Sequence, residues 1–172
     1  MAPVALNDAE TTKANAKLIG QNVLLDNGSG ADSDGSPDGD VVFVRQVNGA
    51  TINDGGLITL GSGASLIMNR DGTYEYDPSS GKFASLAEGA TATDSFGYTV
   101  QDGNGGSASA TVTITVTGVN DAPVAVAALP VQALTDGQTV TLDAGAAVFS
   151  DVDAGAVLTY SVSAGTLPAG LV

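Results

Sequence analysis

Residues 96–117 read FGYTVQDGNGGSASATVTITVT. Phe96, Tyr98 and Val100 alternate with small or polar residues, and Asp102-Gly103-Asn104-Gly105-Gly106 then supplies a hairpin turn. Beyond it Ala108, Ala110, Val112, Ile114 and Val116 point one way, while Thr111, Thr113, Thr115 and Thr117 point the other. Side chains on a strand alternate between faces, so this period of two predicts a pair of antiparallel strands with one buried face and one wet face. A long strand that is polar on one side belongs to a two-layered antiparallel sandwich.

The rest of the chain supports that frame. Val41–Val47 reads as a strand, and Leu57–Leu60 and Ser65–Met68 as two short ones around Gly61-Ser62-Gly63. Asn69-Arg70-Asp71-Gly72 marks a further hairpin, with Tyr74 and Tyr76 sharing one face of the returning strand. Ala16–Leu25 predicts a strand bent near Gly20. Residues 79–92 lack alternation, and Phe83 and Leu86 there predict an anchoring loop or helical turn. Asp94 reads as structural, capping a turn ahead of Phe96. Six Asp-Gly turn signals punctuate these runs, at Asp34, Asp38, Asp54, Asp71, Asp102 and Asp136. Short strands with such turns predict an all-β sandwich or barrel.

Ala2-Pro3-Val4-Ala5 returns as Ala122-Pro123-Val124-Ala125, an offset of 120 residues. This predicts a first module over 1–119, a linker at 120–123, and the N-terminal part of a second sandwich over 124–172. In that second part Val140 with Leu142, Val148-Phe149, and Leu158, Tyr160 and Val162 read as strands, too few for a closed sandwich. Met1 directly before a mid-repeat sequence reads as the start of a piece excised from a longer protein.

The 172 residues carry 19 acids and five bases, a net charge of −14, and 16 of the acids are Asp. Clustered Lys or Arg, which nucleic acid requires, is absent, and anionic lipid is repelled. No run reaches the ~20 apolar residues of a membrane helix, so neither nucleic acid binding nor membrane insertion is expected. With no Cys and no His, thiol nucleophiles, disulfides, His bases and the common zinc sites are excluded. Paired carboxylates of a glycosidase need one acid in an apolar pocket; these acids lie in Gly-rich loops, and no enzyme is expected.

Asp suits turns, and it also suits calcium, which takes six to eight oxygens from short carboxylates and carbonyls. Two groups of residues have that character. Residues 26–40, DNGSGADSDGSPDGD, hold Asp26, Asp32, Asp34, Asp38 and Asp40. A second group combines Asp102, Asn120 and Asp121 with Asp151 and Asp153, on the expectation that the hairpin of Asp102 lies at the same pole as the linker.

Four segments, in order, resemble bacterial cadherin-like repeats of the VCBS type, found in tandem in large secreted adhesins and RTX-type exoproteins. They are Asn22–Asn27 with Asp38-Gly39-Asp40; Asp71–Tyr76; Asp94–Gly106; and Val119-Asn120-Asp121-Ala122-Pro123. Phe149–Asp153, Leu158-Thr159-Tyr160 and Leu167–Leu171 resemble the start of a dystroglycan-type cadherin-like or Ig-like repeat. Lys13 departs from the pattern, standing where the family tends to carry an acid. The resemblance implies an all-β, Ig-like or cadherin-like Greek-key β-sandwich, and a calcium-stiffened structural spacer at the bacterial cell surface or outside the cell, serving adhesion and biofilm. Its partners would be neighbouring repeats and a host or bacterial surface glycan or protein. The alternative reading is a calcium-dependent module that binds carbohydrate or protein.

Overall fold

In the computed structural model the described residues are 2–25, 39–127 and 148–159. Asp26, Asp32, Asp34 and Asp38 lie outside them, as do the strand expectations at Val140, Leu142, Tyr160 and Val162. The chain divides into two units, Met1–Asn120 and Asp121–Val172.

The first unit is built from β1 (Asp8–Lys13), β2 (Leu18–Asn22), β3 (Val42–Val47), β4 (Ala50–Thr51), β5 (Gly56–Thr59), β6 (Ser65–Met68), β7 (Thr73–Asp77), β8 (Thr91–Asp102) and β9 (Ser107–Thr117). One sheet has the order β1-β9-β8-β3-β4 and the other β2-β7-β6-β5. Together they form an Ig-like, cadherin-like β-sandwich. Between the layers pack Val44, Val47, Phe96, Tyr98, Val100, Val112 and Ile114 from the first sheet and Leu66, Met68, Tyr74 and Tyr76 from the second. Tyr74 meets Phe96 edge to face, with ring centroids 5.5 Å apart. Burying each large side chain contributes about 1.5–3 kcal/mol, and these residues hold the layers together.

The hairpin of β8 and β9 keeps one register over its whole length, from Gln101↔Ser107 to Thr91↔Thr117. β2 carries a register shift at Gly20, whose φ is 76°. Phe83 is fully buried from a single 3-10 turn, Gly81–Phe83. β1 does not pair antiparallel: it runs parallel to β9, with Asp8 opposite Val112 and Lys13 opposite Thr117. The reason lies in the chain's path. Both strands run from the hairpin end of the sandwich to the end where Thr117 leaves it, so the unit's first and last strands point the same way.

Asp94 does not cap a turn. It lies inside β8, at the same parity as Phe96, Tyr98 and Val100, and so faces the core. Its carboxylate accepts Ser62 Oγ at 2.6 Å and Tyr76 Oη at 2.9 Å, which offsets the cost of burying a polar group.

In the second unit, β10 (Val124–Ala125) pairs antiparallel with β11 (Phe149–Ser150). Val126 N–H donates to Val148 O at 2.7 Å. Leu158 lies in irregular backbone after the turn closed by Ala156 N–H on Asp153 O.

Candidate functional site

One group of acids sits at the β8–β9 hairpin. Parity along β8 turns Asp102 inward, and it is 3% exposed. Its Oδ1 accepts Asn104 N–H at 2.9 Å and Gly106 N–H at 2.6 Å. These bonds close the turn from the side chain, the local pairing that Asp favours in turns. Asn104 Nδ2 donates in turn to Asp40 Oδ2, which draws Asp40 to the same hairpin. A Cβ on Gly106 would lie 2.5 Å from Asp102 Oδ2 and 3.0 Å from Ala2 Cα, so the entering chain packs here too.

This geometry corrects the expected grouping of Asp102 with Asn120. Asp102 ends β8 at the hairpin, whereas Asn120 follows Thr117 at the far end of β9. The eleven residues of β9 make ten steps of ~3.3 Å, which separate the two ends by roughly 33 Å. The expectation failed because a hairpin connecting two adjacent strands lies at the end opposite to the one from which the second strand leaves. Asn104, which ties Asp40 to Asp102, stood in the hairpin sequence without being singled out. Its signal was its place two residues after an inward Asp, where an Asx turn fixes the backbone.

The second group is built within the second unit. β10 against β11 brings residues 121–123 alongside the loop that follows Ser150. Asp121 N–H donates to Asp153 Oδ2 at 2.8 Å, and Asp153 N–H donates to Asp151 Oδ1 at 2.9 Å. The Asp153 and Asp151 carboxylates thus hold the backbone at Asp121 and Asp153. Asp153 Oδ1 is buried and has no hydrogen-bond partner. A buried carboxylate oxygen without a donor is costly, and it suits a hard cation, which prefers oxygen ligands. Among the described residues, no three acids converge into a group that could hold a metal ion. The unpartnered Asp153 Oδ1 is an oxygen of the type calcium takes.

Charge elsewhere is used structurally. Lys17 Nζ lies 2.8 Å from Asp77 Oδ2. That hydrogen bond, with a further one from Ser79, lowers the Asp77 pKa to about 2. Two bonds from Thr73 lower that of Asp71. Burial, then the Asp94 hydrogen bond, pushes the Tyr76 phenol well above its usual range.

A two-layered β-sandwich with aromatic and aliphatic side chains packed between its sheets defines the class: a cadherin-like or Ig-like structural module. Residues 1–118 match the family model of the bacterial cadherin-like domain, and the chain belongs to that family. Residues 122–172 match the model described as "Putative Ig domain". No curated protein matches the chain. Bacterial cadherin-like domains are typically non-catalytic structural modules of extracellular proteins, and they generally bind calcium. Among the described residues no helix is long and apolar enough to cross a membrane.

Proposed function

We propose that this chain is a calcium-stiffened spacer repeat of a bacterial cell-surface or secreted adhesin, serving cell adhesion and biofilm. The observation that carries the reading is the path of the chain through the first unit. It enters beside the β8–β9 hairpin, where Ala2 packs near Gly106, and leaves beyond Thr117 at the opposite end. A sandwich with entry and exit at opposite ends extends a tandem array by its own length. We assign 1–119 to one repeat of the VCBS type, 120–123 to the linker, and 124–172 to the beginning of a dystroglycan-type cadherin-like or Ig-like repeat. The partners of such a repeat are its neighbours in the same chain and a glycan or protein on a host or bacterial surface.

Stiffening falls to Asp121, Asp151 and Asp153. Asp153 Oδ2 holds the linker backbone at Asp121, and Asp151 holds the Asp153 backbone. Asp153 Oδ1 is the oxygen left for the cation. Calcium, when bound, supplies positive charge that neutralises these acids and favours the ordered loop. Binding to the folded state alone adds RT ln(1 + [Ca]/Kd) to stability, ~1 kcal/mol at millimolar calcium for a site of extracellular affinity.

The test is a pair of thermal melts, one in chelator and one in millimolar calcium, with magnesium as control. A calcium-specific rise of a few degrees that Asp153→Ala abolishes is the expected result. Superimposable curves would leave these acids as loop-forming residues only.

A further inference from the structure

The wet face of the first sheet has a regular composition with one interruption. The outward positions of β8 and β9 are the odd-numbered residues 91–101 and 107–117. Ten of these twelve are Thr or Ser, one is Gln101, and one is Gly97; none is charged, in a chain of net charge −14. Above Gly97 lies an open hollow of about 300 Å³, lined by Asn7, Asn48, Thr99, Ser109 and Thr111.

Neither of the fold contacts around Gly97 requires a glycine. A Cβ there would lie 3.8 Å from Ala110 O and 3.8 Å from Asn48 Oδ1, ordinary van der Waals contact, and its φ lies outside the left-handed region. Glycine inside a strand costs about 0.5–1 kcal/mol relative to Ala and often marks the close approach of a ligand.

The polar groups around the hollow are already oriented. Asn48 and Gly49, with φ of 48° and 81°, form the tight β3–β4 turn. That turn brings Asn48 Oδ1 to accept Gly97 N–H at 2.8 Å. On the other side Asn7 Oδ1 accepts Thr111 N–H at 2.9 Å. Each backbone N–H fixes a carboxamide by its oxygen, which leaves both NH2 groups as donors. Thr99 Oγ1 and Ser109 Oγ pair at 2.8 Å, and Thr111 adds a third hydroxyl. Amide donors and hydroxyls that both give and accept hydrogen bonds match a ligand made of hydroxyl groups. With no charged side chain in its lining, the hollow offers nothing to an ion, and the acidic body repels anions.

We infer that the Gly97 hollow binds one residue of a neutral glycan, through the Asn7 and Asn48 carboxamides and the hydroxyls of Thr99, Ser109 and Thr111. The volume suits one sugar ring rather than a longer segment. No exposed aromatic ring stands among the lining residues, Tyr98 being buried, so a single site is weak, and tandem copies along an adhesin would gain by avidity. The site needs no cation and stands apart from the calcium reading.

The test is a set of 1H–15N NMR titrations of the whole chain in chelator. The probes are neutral oligosaccharides: α- and β-linked glucans, a galactan and a mannan. At least one should move the amides of Gly97, Thr99, Ser109 and Thr111 together with the side-chain NH2 signals of Asn7 and Asn48. Gly97→Thr, which fills the hollow and continues the hydroxyl row, should stay folded and bind about tenfold more weakly or worse. Thr111→Val should weaken binding, and Asp153→Ala should leave it unchanged. Silence towards the whole panel, shifts confined to another face, or undiminished binding by Gly97→Thr would each overturn the assignment.

Discussion

Asp102 and Asp153 look alike in the sequence, each an Asp beside a Gly-containing turn that follows apolar residues, yet they are occupied differently. Asp102 Oδ1 serves two backbone N–H groups of its own hairpin. Asp153 serves one with Oδ2 and keeps a buried Oδ1 without a partner. The first carboxylate is built into the fold, whereas the second has capacity to spare. An Asp-rich loop therefore says little about cation binding until the bonds of each oxygen are known.

The sharpest way to break this contrast is to remove each carboxylate. Asp102→Ala deletes a buried acceptor of two charge-assisted bonds and should cost about 3 kcal/mol, a fall of roughly 10–20 °C in Tm for a unit of this size. The loss should be the same in chelator and in calcium. Asp102→Asn retains an acceptor oxygen and should cost less than half as much. A calcium-dependent loss at Asp102 would erase the contrast.

Next comes Asp153→Asn. It should lose the calcium-specific rise, ~1 kcal/mol, while Asp102→Asn keeps it. Differential scanning calorimetry of both variants, with and without calcium, reads this directly. The reverse ranking would move the cation to the hairpin.

Acid titration sharpens the point for a carboxylate that is held from the surface. The folded pKa of Asp77, about 2, lies below the ~3.9 of an unfolded Asp. Its contribution is therefore complete above the unfolded value and is lost as pH falls through about 2. The pair with Lys17 is partly exposed, so Asp77→Asn should lower Tm by only roughly 1–3 °C at pH 6. Melts from pH 6 to pH 1.5 should show that difference closing. A gap of constant size would remove the Lys17–Asp77 pair from the account.

The smallest expected effect is at Gly97. Gly97→Thr should leave the melt unchanged or raise stability by about 0.5–1 kcal/mol. A marked loss would mean that the fold itself needs the glycine.

Much of the sandwich was legible in residues 91–117, because strict alternation fixes which side chains share a face. The same parity would have shown Asp94 and Asp102 facing inward with Phe96 and Tyr98, and a turn cap at Asp94 conflicts with it. The hollow at Gly97 also left a trace, as the one position without a side chain in a Thr/Ser row. What no local pattern carried was Asn7 reaching Thr111, or Asn104 reaching Asp40, since those pairs are separated by 104 and 64 residues.

By itself, then, the sequence determined an all-β class, several strands of the first unit, the buried face of the β8–β9 hairpin, and an acidic chain without thiol or imidazole chemistry. These follow from side-chain periodicity and residue type, which are local. Only the tertiary structure decided that β1 lies parallel to β9, that Asp102 and Asn120 stand at opposite ends of the first unit, and which oxygen of Asp153 is unspent. Those outcomes depend on how strands distant in sequence pair, and on which donors that pairing brings within hydrogen-bond reach.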